Sequence, residues 1–354
     1  MDTKQISHRL LQWYYQNARR YPWRDEPTPY HVWISEIMLQ QTRIEAALPY
    51  YQRFISALPD ISALASVPQE DLLKLWEGLG YYSRARNLQK AAKEIIDRYN
   101  GELPADYRAL LSLPGIGAYT AGAISSIAFG LPATAVDGNV MRVLSRLTAD
   151  NTDVLSTEGK KHFTVLAEQL LPVDDPGAFN QALMELGETI CLPNGVPKCD
   201  VCPLNEHCFA CAHGNPQEYP TRIKKVSRRV EFRQVAVVVA DTASPAVLLH
   251  KRSEIGLLAG LWELPNTEDE AVLTAIPHAV KSECNFRQSL PSSHHLFSHI
   301  EWRMEGHLYS VPRRISLPED YAWATLSELQ SAFPLPGAFK AYTKLFKDLL
   351  SEER

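Results

Sequence analysis

Val140, Val143, Leu144 and Leu147 recur at i, i+3, i+4 and i+7, the stripe of a helix that buries one face. Helical spacing also runs from Trp33 through Ile37 and Gln40 onward to Phe54, over Leu72, Leu75 and Trp76, and over Leu88, Ala92, Ile95 and Ile96. Pro59, Pro68, Gly101, Pro104, Gly130 and Pro132 fall between these stripes, so residues 1–190 read as helices joined by short connections. Further on the period changes to two. Val235–Val239 and Val247–Leu249, with Asp241–Pro245 between them, read as a β-hairpin. Alternation over 296–304 places Leu296, Ser298, Ile300, Trp302 and Met304 on one side of a strand. The expected chain is therefore multidomain, all-α in its first part and α+β in its last third. A polar, basic stretch from roughly 212 to 232, with Gly214, Pro216 and Pro220, reads as the linker.

Length supports that division, since 354 residues exceed what one core usually holds. The N-terminus, MDTKQISHRLLQWYYQ, has no apolar signal region, and no stretch approaches 18 apolar residues. Six cysteines in so long a chain do not suit a secreted disulfide scaffold. The expected setting is a reducing compartment: cytoplasmic and nucleoid-associated in a bacterium, nuclear or mitochondrial in a eukaryote. Net charge is −5, so any contact with nucleic acid must come from local patches and backbone amides. One patch, Arg222, Lys224, Lys225, Arg228, Arg229 and Arg233, is opposed only by Glu231 and reads equally as a solvated linker.

The linker follows the most informative segment. Cys191, Cys199, Cys202 and Cys208 are spaced C-x7-C-x2-C-x5-C in a loop broken by Pro193, Gly195, Pro197 and Pro203. Four thiolates meeting in such a loop suit tetrahedral zinc or an iron–sulfur cluster, and the uneven spacing favours a 4Fe–4S cluster. Cys211 and Cys284 have no evident partner.

Leu113-Pro114-Gly115-Ile116-Gly117 lies between two helical runs. Its glycines, at this spacing, allow positive φ and leave N–H groups open at the next helix start, a cradle for a phosphate or an ordinary helix connection. Asp137, in AVDGNVMRVL, stands just before the Val140 stripe, where an N-cap is its plainest role. Glu36, in HVWISEIMLQQT, has Val32, Trp33 and Leu39 as helical neighbours, a setting that raises a carboxyl pKa and favours the acid form. Two carboxyl groups in divergent settings suit cleavage of a glycosidic bond.

LPGIG, AVDGN and the four-cysteine loop together resemble the helix–hairpin–helix DNA glycosylase superfamily, endonuclease III group. PWRDEPTPYHVWISEIMLQQT, LWEGLGYYSRARNL and the additional C-terminal region narrow the resemblance to the MutY type, the A/G-specific adenine glycosylases. The resemblance spans essentially the whole chain. It implies an all-α core over 1–211, with a six-helix barrel and helix–hairpin–helix at about 22–130 and a cluster-containing domain from 1–21 and 131–211. The linker at 212–232 and a Nudix-like domain at 233–354 complete the expected layout. The implied activity is removal of adenine mispaired with 8-oxoguanine or guanine in double-stranded DNA, by a monomer that flips the base. Glu36 matches the general acid, Asp137 the carboxylate that stabilises the oxocarbenium-like sugar, and Tyr119 and Asn139 their supports. Trp23, Arg24, Leu39, Gln181 and Met184 match the adenine pocket. Gln41, Thr42, Leu79, Tyr81, Gly115 and Gly117 match DNA contacts, and Phe297, Ser298 and His299 the 8-oxoguanine loop, although alone that tripeptide is an ordinary strand or turn.

The chain departs from the family in two respects, the first being a first cysteine gap of seven residues where six is usual. At position 119 it carries tyrosine where bifunctional relatives have lysine, so no amine is present to form a Schiff base and a monofunctional enzyme is expected. The Nudix-like segment GLWELPNTEDEAVLTAIPHAVKSE lacks the glutamate pattern of a pyrophosphatase. A thymine–guanine mismatch glycosylase would lack the C-terminal domain, and a non-catalytic DNA binder would need neither Glu36 nor Asp137.

Overall fold

The computed structural model describes residues 2–223 and 228–351. Lys224 and Lys225 of the basic patch, and part of the expected linker, lie outside the described residues. Two compact units result, and neither is continuous in sequence. One comprises 2–66 and 87–223, the other 67–86 and 228–351.

The first unit is helical, and polar caps set where its helices begin. Asp2, Thr28, Asp137, Ser156 and Asp175 each accept a backbone N–H three residues on, at the starts of Thr3–Asn17, Pro29–Leu39, Gly138–Thr148, Thr157–Leu170 and Pro176–Thr189. Pro29 and Pro176 supply the fixed φ that suits a first helical residue. The Val140 stripe is buried as its spacing implies, in one core with Ile6, Leu10, Phe163, Phe179 and Leu183. The run expected from Trp33 to Phe54 breaks into Pro29–Leu39 and Ile44–Ala57, because Gln41 turns to φ 59°. The break presents Gln41 and Thr42 outside any helix.

The hairpin motif uses its glycines unequally. Gly115 needs its positive φ of 76°, and a Cβ there would lie 2.6 Å from Asn87 Cβ. Gly117 is ordinary extended backbone at φ −90° and caps helix Ala118–Ala123, so only one of the two glycines is required by φ. That helix passes directly into a π-helical segment, Ile124–Ala128.

The second unit is a mixed seven-stranded sheet: β1 Arg229–Ala240, β2 Ala246–Lys251, β3 Trp262–Glu263, β4 Asn266–Thr267, β5 Asn285–Leu296, β6 Ile300–Val311 and β7 Tyr321–Ala324. The path runs β3-β2-β1-β6-β5, with β4 on β1 and β7 on β2. The expected hairpin forms, pairing Val239 with Val247. β1 is central and runs parallel to β6 from Arg229↔Ile300 to Ala240↔Val311. Val235, Val237 and Val239 enter one core with Trp302, Met304 and Phe339, whereas Ala236 and Val238 enter another with Val280 and Tyr309. Burial on both faces explains why residues 235–240 of β1 are a continuous apolar run. The alternation expected across 296–304 holds only from Ile300 onward. Phe297-Ser298-His299 forms the β5–β6 turn, closed by the Phe297 N–H donating to the Ile300 carbonyl at 2.8 Å.

Gly122 tests the packing of the helical unit. A Cβ there would sit 1.9 Å from the Thr134 carbonyl oxygen, and both partners are backbone. Gly122→Ala is expected to destabilise by about 3 kcal/mol, the upper end of overpacking costs. Gly117→Ala meets no atom within 4 Å and should melt near wild type. Thermal unfolding of the two variants checks the contrast.

Candidate active site

Glu36 lies on the buried face of helix Pro29–Leu39, among Val32, Trp33, Ile37 and Met38. Its carboxylate oxygen accepts a 2.5 Å hydrogen bond from the Tyr119 hydroxyl. Burial pushes the Glu36 pKa up to about 7, overcoming the lowering effect of that bond. Tyr119 is itself raised well above its ordinary value, first by burial and then by the Glu36 charge, so its hydroxyl remains a donor. It also reaches Met184 Sδ at 3.4 Å.

Asp137 caps helix Gly138–Thr148 through a 2.8 Å bond from the Val140 N–H to Oδ1. Its other oxygen accepts from Asn139 Nδ2, also at 2.8 Å. Burial raises its pKa, while these donors oppose the rise. The cap and a place in the cavity are thus compatible: Asp137 and Glu36 both line one cleft of about 1110 Å³.

The same cleft brings together Trp23, Arg24, Leu39, Gln41, Thr42, Gly115, Gly117, Tyr119, Asn139, Gln181 and Met184. Trp23 is stacked on Tyr21 at 5.0 Å and meets Tyr51 edge-on. Arg24 is anchored by Glu185 Oε2 at 2.8 Å and by the Arg19 carbonyl at 2.9 Å, which fixes where it enters the cleft. Glu188, a third carboxyl on the wall, also has a pKa raised by burial and pairs with Arg19 at 2.5 Å. Sequence reasoning did not find it. Its signal is its place one helical turn beyond Met184 on Pro176–Thr189.

Leu79, Tyr81, Phe297, Ser298 and His299 do not join that cleft. They line a separate cavity of about 490 Å³ within the second unit. There Tyr81, held at φ 48°, places its hydroxyl 3.4 Å from Ser298 Oγ. His295 stands edge-on to Phe297 at 4.6 Å, and Phe297 packs on buried Trp302 at 5.0 Å. Segment 67–86 is tied to this unit: Lys74 Nζ donates to the Leu329 carbonyl at 2.7 Å, and the Leu335 N–H donates to Glu77 at 2.9 Å. Of the expected basic patch, Arg229 and Arg233 are committed to Glu231, and Arg228 donates to the Phe297 carbonyl at 2.9 Å.

All four cysteines of the loop line a small cavity with Arg146, Asn205 and a fifth thiol, Cys211. Among the described residues no group of three or more His, Cys, Asp or Glu side chains forms a site for a single metal ion. Arg146 Nη1 donates to Cys191 Sγ at 3.3 Å and to the Leu192 carbonyl at 2.8 Å. Arg142 donates to the Cys191 carbonyl at 2.9 Å and to Asn139 Oδ1 at 2.9 Å. Hydrogen bonds thus run from Asp137 through Asn139 and Arg142 to the loop. Cys284, expected to lack a partner, packs against the second core of the sheet unit.

The profile of the HhH-GPD superfamily base excision DNA repair proteins matches residues 34–169, and that of the NUDIX domain matches 235–345. The chain is 33% identical to the adenine DNA glycosylase of Mus musculus over 98% of this chain and 79% of that protein. It is 35% identical to that of Buchnera aphidicola subsp. Schizaphis graminum, covering 83% and 84% of the two chains. Among solved structures, a thermostable thymine-DNA glycosylase matches with a TM-score of 0.54 and 30% identity, over 59% of this chain and 95% of its own. An endonuclease III–DNA complex matches with a TM-score of 0.51 and 27% identity, over 60% and 98%. The helical unit with its paired carboxyls, the Nudix-like sheet and the full-length relatives agree: this chain belongs to the adenine DNA glycosylase family.

Proposed function

We propose that this protein hydrolyses the N-glycosidic bond of adenine mispaired with 8-oxoguanine or guanine in duplex DNA, leaving an abasic site. The observation that carries the reading is a pair of carboxyls in one cleft with different electrostatics, Glu36 at about 7 and Asp137 held by two donors. Such a cleft accepts a base that has been flipped from the stack. Protonated Glu36 gives its proton to a ring nitrogen of adenine as the bond to the sugar breaks and its electrons pass to the base. Asp137 faces the positive charge that develops on the sugar and can trap it as a transient ester. Water then displaces Asp137 from the sugar carbon, the ester's bonding pair returning to the Asp137 carboxylate, and gives its proton to Glu36. Trp23, Arg24, Leu39, Gln181 and Met184 form the walls for the base, and the open N–H groups after Gly117 suit a phosphate. With tyrosine at 119 no amine is placed for a Schiff base, so strand cleavage is not part of the reaction.

Reading of 8-oxoguanine belongs to the second cavity. Ser298 lies in a turn beside Tyr81, and its hydroxyl can accept from the N7 hydrogen that distinguishes 8-oxoguanine from guanine. The aromatic ring of Tyr81, half exposed on a left-handed residue, suits a wedge in the duplex.

Cys191, Cys199, Cys202 and Cys208 would hold a 4Fe–4S cluster. Their fit rests on a donor set of thiols around one small cavity, with the Arg146 guanidinium directed at Cys191 Sγ. When bound, the cluster would cross-link a loop that has only single 3-10 turns of its own.

Glu36→Gln is expected to lower single-turnover adenine release by at least ~10²–10⁴. Asp137→Asn should also cripple release while melting near wild type, because asparagine caps a helix as well as aspartate. Near-normal release with early melting would leave Asp137 as a cap only. In the wild type the rate should fall as pH rises through about 7, where Glu36 loses its proton. The raised pKa makes the stability contribution full below the unfolded value and lost above about 7, so Glu36→Gln should gain Tm over wild type at pH 8 more than at pH 5.

Duplexes carrying A opposite 8-oxoguanine, A opposite guanine and T opposite guanine test the substrate. Release from the first two supports the reading, and release only from the third overturns it. Ser298→Ala should reduce the preference for 8-oxoguanine over guanine by about 0.5–1.5 kcal/mol, one hydrogen bond, leaving A:G excision intact. Equal slowing on both duplexes would remove Ser298 from lesion reading. The point variant is the cleaner probe, since deleting 233–354 would also strip Lys74 and Glu77 of their partners.

A further inference from the structure

Cys211 is surplus to a four-thiol site, yet it is built into the same one. The interval from Cys208 to Cys211 repeats the C-x2-C interval from Cys199 to Cys202, so the chain holds two overlapping sets of four thiols with three members in common. Cys211 lines the cysteine cavity itself. It stands on the short helix Phe209–Ala212, which starts at Cys208. Its Sγ donates to Asn205 Oδ1 at 3.2 Å, and it shares the lining of this cavity with Cys199.

Both cysteines belong to short hydrogen-bonded turns, Cys199 in the 3-10 turn Cys199–Val201 and Cys211 in helix Phe209–Ala212. Cys199 follows Gly195, Val196 and Pro197 in the longest gap of the motif, with Val196 77% exposed and Gly195 at φ 75°. Cys211 belongs to a hydrogen-bonded turn, with the Ala212 N–H on the Cys208 carbonyl at 3.0 Å and the Gly214 N–H on the Cys211 carbonyl at 2.9 Å.

We propose that Cys211 is a reserve cluster ligand, able to take over the iron held by Cys199. The proposal rests on the cluster reading above. When the Cys199 sulfur leaves its iron, the neighbouring Cys211 thiol gives up its proton to solvent and forms the replacement iron–sulfur bond. The exchange stays within one small cavity, which both sulfurs line. No electron is transferred and the cluster keeps its charge.

The test uses the full chain purified without oxygen, with iron, acid-labile sulfide and visible absorption as readouts. Wild type and Cys211→Ser should carry about four iron and four sulfide per chain. Cys199→Ser should keep at least about half of that, with a shifted absorption spectrum, whereas Cys202→Ser and Cys199→Ser/Cys211→Ser should lose it about tenfold or more. Cys199→Ser as empty as Cys202→Ser overturns the proposal while leaving the cluster reading intact. A wild type without iron and sulfide overturns the cluster reading, and the proposal with it. If Cys199→Ser does not fold, bleaching by ferricyanide decides. Cys211→Ser, with all four primary ligands present, should bleach several-fold faster than wild type, and an unchanged rate refutes the reserve role.

Discussion

The chemistry proposed for this protein depends on keeping a proton on one carboxyl at neutral pH. Two influences on Glu36 oppose each other. Burial among Val32, Trp33 and Ile37 disfavours the charged form, and the Tyr119 hydroxyl, 2.5 Å away, favours it. Burial wins, and the group is poised near 7. A polar surrounding would leave the carboxyl ionised and unable to protonate a base. A fully apolar one would leave it unable to release the proton. Tyr119 sets the balance between these failures, since its own burial keeps its hydroxyl a donor.

Around that point the helical unit is arranged as a support. Buried Arg142 and Arg146 lie one turn apart on helix Gly138–Thr148, whose first residue follows Asp137. Their guanidinium groups hold carbonyls at Gly187, Cys191, Leu192 and Tyr219. A loop without regular structure is thereby fixed by side chains reaching out of a helix. Asp137 sits at the other end of the same bonded series, so displacing the cysteine loop would be felt at its carboxylate through Asn139.

Much of this was legible in the sequence. The Val140 stripe, the Asp137 cap and the apolar setting of Glu36 are local features, and each follows from spacing along one helix. The cleft residues were found through the family resemblance, since nothing in the spacing of Trp23, Gln181 and Met184 brings them together. What sequence missed is non-local or conformational. Gln41 breaks a helix by its left-handed backbone, and the Phe297–His299 turn interrupts an otherwise good alternation. Cys211 looked partnerless because a thiol 12 residues away along an irregular loop gives no periodic signal. Glu188 was hidden as an ordinary carboxylate on a helix.

The division of the second unit has a consequence for biosynthesis. Segment 67–86 leaves the ribosome early, but the Leu329 carbonyl that receives Lys74 comes 255 residues later. At ordinary translation speeds this is a wait on the order of ten seconds or more, far longer than helix formation takes. During that interval Leu79, buried in the finished protein, has no sheet to cover it. Residues 67–86 therefore wait for the rest of their unit while the residues of the helical unit up to 223 are made. The polar residues Gln69, Glu70, Asp71 and Lys74 of helix Gln69–Leu75 suit a segment that waits in water.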